Sequence, residues 1–389
     1  MLSWIFGHKK KTTHILAIDL GTASISAAVV VRHEKAGPNA PAGLCEIKKV
    51  LRHPLNLLGY QLAADAGKLP YILKDGFMKV FKDAYAASRH ADVILIALSE
   101  PFFLDKKTQR EEARPNPSKP ISRAEIDTIG KFLSEDVLVA NRRLAPVGRN
   151  ILAMRVNGYD IVDAIGYKGK TLGAEAVFTL VSATLKDYVD EAKEKFFPRS
   201  AVSFSSDTWV LWKLLKSTEN LSGPVLVVDI GGEVTGVFGA GKNTIEHMGA
   251  AAFGIRTLAR RIGAALKIGP EEVEPILRKY TAGALDERLK MKVDRVLSAA
   301  LFDWWASIKN FASAPAAFKK ILLSGGGADF SVFSDFLKDC LKKDYGADVS
   351  VELLRAEAFN DFLDPAGALS GGGDVILAAL SIFADAKTD

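Results

Sequence analysis

An apolar run ending in Asp-x-Gly occurs twice in this chain, about half a chain apart. Ile15-Leu-Ala-Ile-Asp-Leu-Gly21 leads into Ser24-Ile-Ser-Ala-Ala-Val-Val-Val31, and Val225-Leu-Val-Val-Asp-Ile-Gly-Gly232 leads into Glu233-Val-Thr-Gly-Val-Phe238. Each pair reads as a β-hairpin with polar residues at its tip. Asp19 matches Asp229 and Gly21 matches Gly231, at a spacing of 210 residues in a chain of 389. Recurrence at that period predicts a duplicated lobe, and the length suffices for two or three cores.

Between the repeats, Phe77, Val80, Phe81, Ala84 and Tyr85 recur at helical spacing within residues 71–88, which predicts an amphipathic helix. Val93-Ile-Leu-Ile-Ala-Leu98 is a short apolar run of the buried-strand type. The stretch from Asp105 to Pro120 is polar and carries Pro115, Pro117 and Pro120, so it is expected to be a loop or lobe boundary. A βα segment follows as far as Phe196. It holds a helix capped by Ser122 and Glu125, a turn at Asn157-Gly158 and a strand over Ala176–Val181.

Past the second repeat the pattern predicts helices over Gly254–Leu266, Glu271–Tyr280 and Glu287–Phe311, and another beginning near Ser331. Ile321-Leu-Leu-Ser-Gly-Gly-Gly327 is a third apolar run ending in glycines, and Gly371–Phe383 is expected to be a terminal buried helix. Trp304 and Trp305 are adjacent on the longest helix, so only one is expected to face a core squarely. Trp209 and Trp212 are better spaced for a single face, and all four read as packing residues.

Composition narrows the function classes. The chain is 48% hydrophobic and 25% charged with a net charge of +5, ordinary for a globular protein. No basic stripe interleaved with aromatics occurs, which argues against nucleic acid as a partner. Cys45 and Cys340 are far apart in unlike contexts, as in a reduced cytoplasmic protein. No run reaches the roughly 18–20 apolar residues of a spanning helix. Leu2, Trp4, Ile5 and Phe6 followed by Lys9, Lys10 and Lys11 form a short segment suited to weak, reversible contact with an anionic lipid surface. A frayed terminus docked on protein is the plainer expectation. No metal-type spacing of His or Cys occurs, and His33, His53, His90 and His247 show no accompanying carboxylate pattern.

The chemistry-bearing positions are the glycine-marked strand ends at Gly21, at Gly231-Gly232 and at Gly325-Gly326-Gly327. Turns without Cβ atoms let backbone N–H groups converge on phosphate oxygens, and Thr22 and Ser24 can add hydroxyl donors. Asp19 and Asp229 are placed to hold the waters of a Mg²⁺ ion, which takes one or two carboxylates besides phosphate oxygens.

These three motifs resemble the two phosphate motifs and the adenosine motif of the actin-like ATPases. The order of elements between them is similar to the FtsA and PilM families. The resemblance implies an α/β fold of duplicated actin/RNase H-like lobes around an ATP and Mg²⁺ cleft, with a small inserted α+β subdomain in the first lobe. Residues 1–12 would be a tail, 13–99 with 185–222 the first lobe, 100–184 the insert and 223–389 the second lobe, its last helix returning to the first. The resemblance also places Thr235, Glu274 and Arg278 near the nucleotide and makes the insert a surface for a protein partner. Self-association belongs to the same expectation.

The chain departs from the FtsA-type motif at Val234, where a threonine is expected, and at Gly236, where a second aspartate is expected. Glu233 adds negative charge beside the turn, and no counterpart of FtsA's C-terminal membrane helix is expected from the closing residues Asp385–Asp389. The expected function is an ATP-binding scaffold, at most a slow ATPase, assembling at the inner face of the cytoplasmic membrane in cell division or in type IV pilus assembly. A degenerate scaffold without nucleotide and a small-molecule kinase are the alternatives.

Overall fold

Each repeat opens a five-stranded sheet, and the two sheets share one strand order. The computed structural model describes residues 12–33, 45–55, 69–140, 144–161, 163–217, 221, 223–242, 244–311, 318, 320–345, 349–359 and 367–382. The tail segment Leu2–Lys11 lies outside them.

In the first sheet, β1 (Thr12–Leu20), β2 (Ser24–His33) and β3 (Cys45–Pro54) form an antiparallel meander. β4 (Val93–Leu98) and β9 (Ala201–Ser206) continue parallel to β1 on its other side. In the second, β10 (Val225–Ile230), β11 (Thr235–Ala240) and β12 (Ile245–Ala251) repeat the meander, with β13 (Lys320–Ser324) and β14 (Ser350–Leu353) parallel to β10.

Alternation along the strands divides the cores. Ile15 and Ala17 of β1 share one core with Val225 and Val227 of β10. It is filled by Trp209 and Trp212 of α4 (Asp207–Ser217) and by Val375 and Leu377 of α9 (Val375–Ile382). The intervening Leu16, Ile18 and Leu20 face outward onto Phe77 and Phe81 of α1 (Leu69–Ala87) and Val189 of α3 (Ala183–Phe196). In the second sheet Leu226, Val228 and Ile230 face α5 (Ile255–Leu266), α7 (Glu287–Ile308) and α8 (Ser331–Tyr345). The short helix α6 (Val273–Thr281) buries Val273 and Leu277 in that core.

Trp304 and Trp305 are both buried, contrary to expectation. Helix α7 is wedged among α5, α8 and β12, so residues one step apart on it each meet protein. Trp304 packs edge-on against Phe333 of α8, and Trp209 lies 4.7 Å from Trp212 between ring centroids.

A third sheet, ordered β5-β8-β6-β7, lies in sequence between β4 and β9. It comprises β5 (Leu104–Ala113), β6 (Leu144–Val156), β7 (Tyr159–Ile161) and β8 (Thr171–Ser182), with α2 (Arg123–Ala140) packed on it. β5 corrects the expectation of a loop from Asp105. Its polar side chains decorate a sheet edge, with Lys107 paired to Glu175 of β8, and the prolines fall just past its end. Ser122 and Glu125 cap α2 as expected, the Ser122 N–H donating to Glu125 Oε2 at 3.0 Å.

Arg114 ties the end of β5 to α2 and the loop before β8. Its side chain is 2% exposed, pairs with Glu125 at 2.9 Å and donates to the carbonyls of Gly169 and Lys119. Arg114→Ala strands these acceptors and is expected to cost about 3 kcal/mol in urea unfolding. A loss under about 1 kcal/mol would show that water replaces the guanidinium.

Candidate functional site

The hairpin tips of the two sheets meet. Gly21 N–H closes the first tip on Ser24 O at 3.0 Å, and Gly231 N–H closes the second on Val234 O at 2.9 Å. Across the lobes, Glu233 N–H donates to Thr22 Oγ1 at 2.9 Å. Gly232 is required at this contact, because a Cβ there would stand 2.7 Å from the Cβ of Ala23. The N-terminus of α5 docks on the second tip through Ile255 and Arg256 N–H groups to Gly231 O and Gly232 O. The Arg256 guanidinium continues across to the carbonyls of Leu55 at 2.6 Å and Ala23 at 2.9 Å.

Glu233 does not face the cleft. It is fully buried and accepts both ends of the Arg260 guanidinium, at 2.8 and 2.7 Å, so its charge is neutralised behind the turn.

Two further glycine turns face the tips. Gly325, at φ +83°, follows β13. A fourth turn, Gly371-Gly372-Gly373, leads into α9 and packs on the third so closely that a Cβ on Gly372 would lie 2.5 Å from Gly325 O. Gly372 N–H donates to Asp329 Oδ1 at 2.8 Å. Asp374, the next residue, pairs with Arg52 of β3 and ties this turn to the first sheet.

Between these turns is a cavity of about 150 Å³. Asp19, Gly21, Thr22, Ser24, Asp229, Gly231, Gly232, Gly325 and Gly326, all singled out from sequence, line it together. Four other expected residues do not. Thr235 is buried in the second lobe's core, donating to Phe253 O at 2.6 Å and accepting from Trp304 Nε1 at 3.1 Å. Its place on β11 sends it to the sheet face opposite the cleft. Gly327 is packed under Ile230. Glu274 and Arg278 pair with each other at 2.8 Å on the exposed face of α6.

The cavity also has a lining that the sequence did not disclose: Ser99, Glu100, Asp207, Thr208, His247, Gly372 and Gly373. The histidines correct the sequence reading too. His247 pairs with Glu100 at 2.7 Å, His53 with Asp83 at 3.1 Å and His90 with Asp92 at 2.9 Å.

Negative charge concentrates here. Burial, then the Asp229 and Asp374 charges, push the Asp19 carboxyl up to about 8. Burial pushes Asp229 up to about 6. Asp207 is raised well above the usual range by burial and then by Asp229 and Glu100. Asp19 Oδ1 is buried with no hydrogen-bond partner. Such an oxygen calls for a cation or its bound water, and the glycine turns supply backbone beside it. The residues present therefore fit a Mg²⁺ ion carried by a polyphosphate. Among the described residues no group of three or more His, Cys, Asp or Glu side chains could hold a metal.

A second, larger cavity of about 800 Å³ lies between the third sheet and the first sheet with its helix α4. Val147, Arg149, Asn150 and Met154 of β6 face Phe204 of β9 and Trp209, Val210 and Lys213 of α4 across it. Asn150 Nδ2 and Trp209 Nε1 are buried there without an acceptor. Helix α4 touches both cavities, through Asp207 and Thr208 at the cleft and Trp209, Val210 and Lys213 at the groove.

No protein-family model and no curated protein matches the sequence. Solved structures do match. The chain is similar to a PilM–PilN type IV pilus biogenesis complex at 14% identity and a TM-score of 0.60, covering 95% of this chain and 97% of that one. It is also similar to MreB5 of Spiroplasma citri bound to ADP, at 12% identity and a TM-score of 0.45, covering 96% of each chain. The fold is the two-lobed fold of the actin-like ATPases.

Proposed function

We propose that the chain is a nucleotide-binding scaffold whose cleft state governs the docking of a protein partner. The observation that carries this reading is the convergence of four glycine turns from both lobes on Asp19 and Asp229. Bound Mg²⁺–ATP would supply positive charge to the buried carboxylates and phosphate oxygens to the turns. Asp19 and Asp229 would hold the ion through its waters, and Gly21, Gly231, Gly232, Gly325 and Gly326 would offer room for phosphates and nucleoside.

The cavity of about 150 Å³ is smaller than the ~300–1,000 Å³ of ordinary ligand pockets. Entry therefore requires the hairpin tips to part, breaking the Thr22–Glu233 contact and the Arg256 clamp. A ligand that binds the parted state better shifts the lobes toward it. Val234 and Gly236 place no polar side chain at two positions of the second hairpin, so the expected turnover is slow at most.

The partner surface is the groove between the insert and the first lobe. Helix α4 connects this groove to the cleft. Assembly at the membrane, in pilus formation or division, is the finer part of the proposal. The PilM–PilN likeness supports the pilus role over the division role. No helix among the described residues is long and apolar enough to cross a membrane.

A second reading, a scaffold that kept the fold and lost the ligand, is favoured by the direct tip-to-tip contact. Calorimetric titration with Mg²⁺–ATP separates the two. The nucleotide reading expects micromolar affinity that Asp19→Ala weakens at least about tenfold. Folded wild-type protein that binds nothing leaves the ligand-free scaffold.

A further inference from the structure

Among the positions at which the duplicated hairpins differ, one sits beside the two motif aspartates. Asp19 of β1 pairs with Ser26 of β2, whereas Asp229 of β10 pairs with Gly236 of β11. Ser26 and Gly236 both line the cavity, so the second lobe has no side chain where the first has a hydroxyl. The other lobe reaches this space. Cγ of Glu100, just past β4, lies 3.9 Å from where a Cβ on Gly236 would stand. From there Glu100 Oε1 pairs with His247 Nε2 of β12 at 2.7 Å, and the Phe103 ring meets the imidazole edge-on.

The charge inventory of the lining makes this pair unusual. Among the described residues four carboxylates face the cavity, those of Asp19, Glu100, Asp207 and Asp229, and no lysine or arginine does. The nearby arginines are committed elsewhere: Arg256 to the Ala23 and Leu55 carbonyls, Arg260 to Glu233 and Arg52 to Asp374. Among the described lining residues His247 is the side chain that can carry positive charge. With Nε2 on Glu100, its Nδ1 has no protein partner among the described residues.

We propose that His247 recognises the terminal phosphate of a bound nucleoside triphosphate, donating from Nδ1, with Glu100 as the residue that positions the ring. The proposal rests on the nucleotide reading above. An imidazolium N–H to a phosphate oxygen is a charge-assisted hydrogen bond. A carboxylate on the other ring nitrogen fixes the ring's orientation and favours its charged form. The Glu100 contact holds His247 above its ordinary range. The Glu100 stem passes beside Gly236 in van der Waals range on its way to the second-lobe histidine.

The test is titration of the full chain with Mg²⁺–AMPPNP and Mg²⁺–ADP, comparing wild type, His247→Gln, His247→Lys and Glu100→Gln. Wild type is expected to prefer the triphosphate analogue. His247→Gln should lose that preference by about tenfold or more, with ADP affinity within about twofold of wild type. His247→Lys should restore part of the preference, because charge is what the phosphate reads, and Glu100→Gln should lose part of it. A wild-type ratio of the two affinities in His247→Gln overturns the proposal, as does equal weakening of both nucleotides. Wild-type protein that is folded but binds neither nucleotide removes the underlying reading and this proposal with it.

Discussion

Asp19→Asn is expected to raise the thermal midpoint of the ligand-free protein at pH 8 by about 5 °C while abolishing Mg²⁺-dependent nucleotide binding. The two effects have one cause. Within the fold the Asp19 carboxyl titrates at about 8 against an ordinary value of 3.8, because it is buried beside Asp229 and Asp374. The folded protein therefore keeps a proton that the unfolded chain has already released. Stability from that proton is whole below the unfolded value near 3.8 and is lost progressively as pH rises toward 8. An amide carries no charge at any pH and escapes the loss, which a shift from 3.8 to about 8 makes about 5 kcal/mol at pH 8. The gap between variant and wild type should narrow as pH falls from 8 toward 4.

A cation repays the wild type in another way, by replacing the proton on Asp19 and on Asp229, which titrates at about 6. Binding of Mg²⁺–nucleotide should thus release protons and tighten as pH rises from 6 to 8. Calorimetry of unfolding and of binding in matched buffers checks both halves. A lower midpoint for the variant at pH 8, or undiminished Mg²⁺-dependent binding, would contradict the assignment.

The sequence exposed those parts of this arrangement that depend on local pattern. Two hairpins with matching Asp-x-Gly ends imply two like sheets, because a strand's apolar alternation and its turn glycine are read over a few residues. The same logic located Gly325, the glycine that ends the third apolar run. It stopped short at Gly371-Gly372-Gly373, where a fourth turn was absorbed into the helix that follows.

Ser99, Glu100, Asp207, Thr208 and His247 stayed hidden for a different reason. Ser99, Glu100, Asp207 and Thr208 face the cleft because parallel crossovers bring β4 beside β1 and β9 beside β4, and His247 of β12 joins them because the lobes close on each other. Strand β5 misled through composition: at a sheet edge, a polar alternating run pairs as well as an apolar one. Thr235 misled through register, since one residue along a strand exchanges the cleft for the core. Glu233 looked like an obstacle to phosphate until its partner, 27 residues on, was visible.

Arg260→Ala should be the most damaging single change near the cleft, costing about 3–5 kcal/mol in urea unfolding. Glu233 is 0% exposed, and Arg260 is the side chain that answers both its oxygens. Truncating the arginine leaves a carboxylate with no access to water, whereas truncating both partners leaves only a space. Glu233→Leu combined with Arg260→Leu is therefore expected to recover most of the loss, because a buried pair and an apolar pair of similar volume come out nearly even. The double variant should also retain the Glu233 backbone contact to Thr22, since that bond uses the main chain of position 233. If the single variant costs under about 1 kcal/mol, water reaches Glu233 in solution. If the double variant is no better than the single, the pair holds the turn's shape by its geometry and not by cancelling charge. The cycle thus separates a neutralised charge from a structural brace behind the second hairpin.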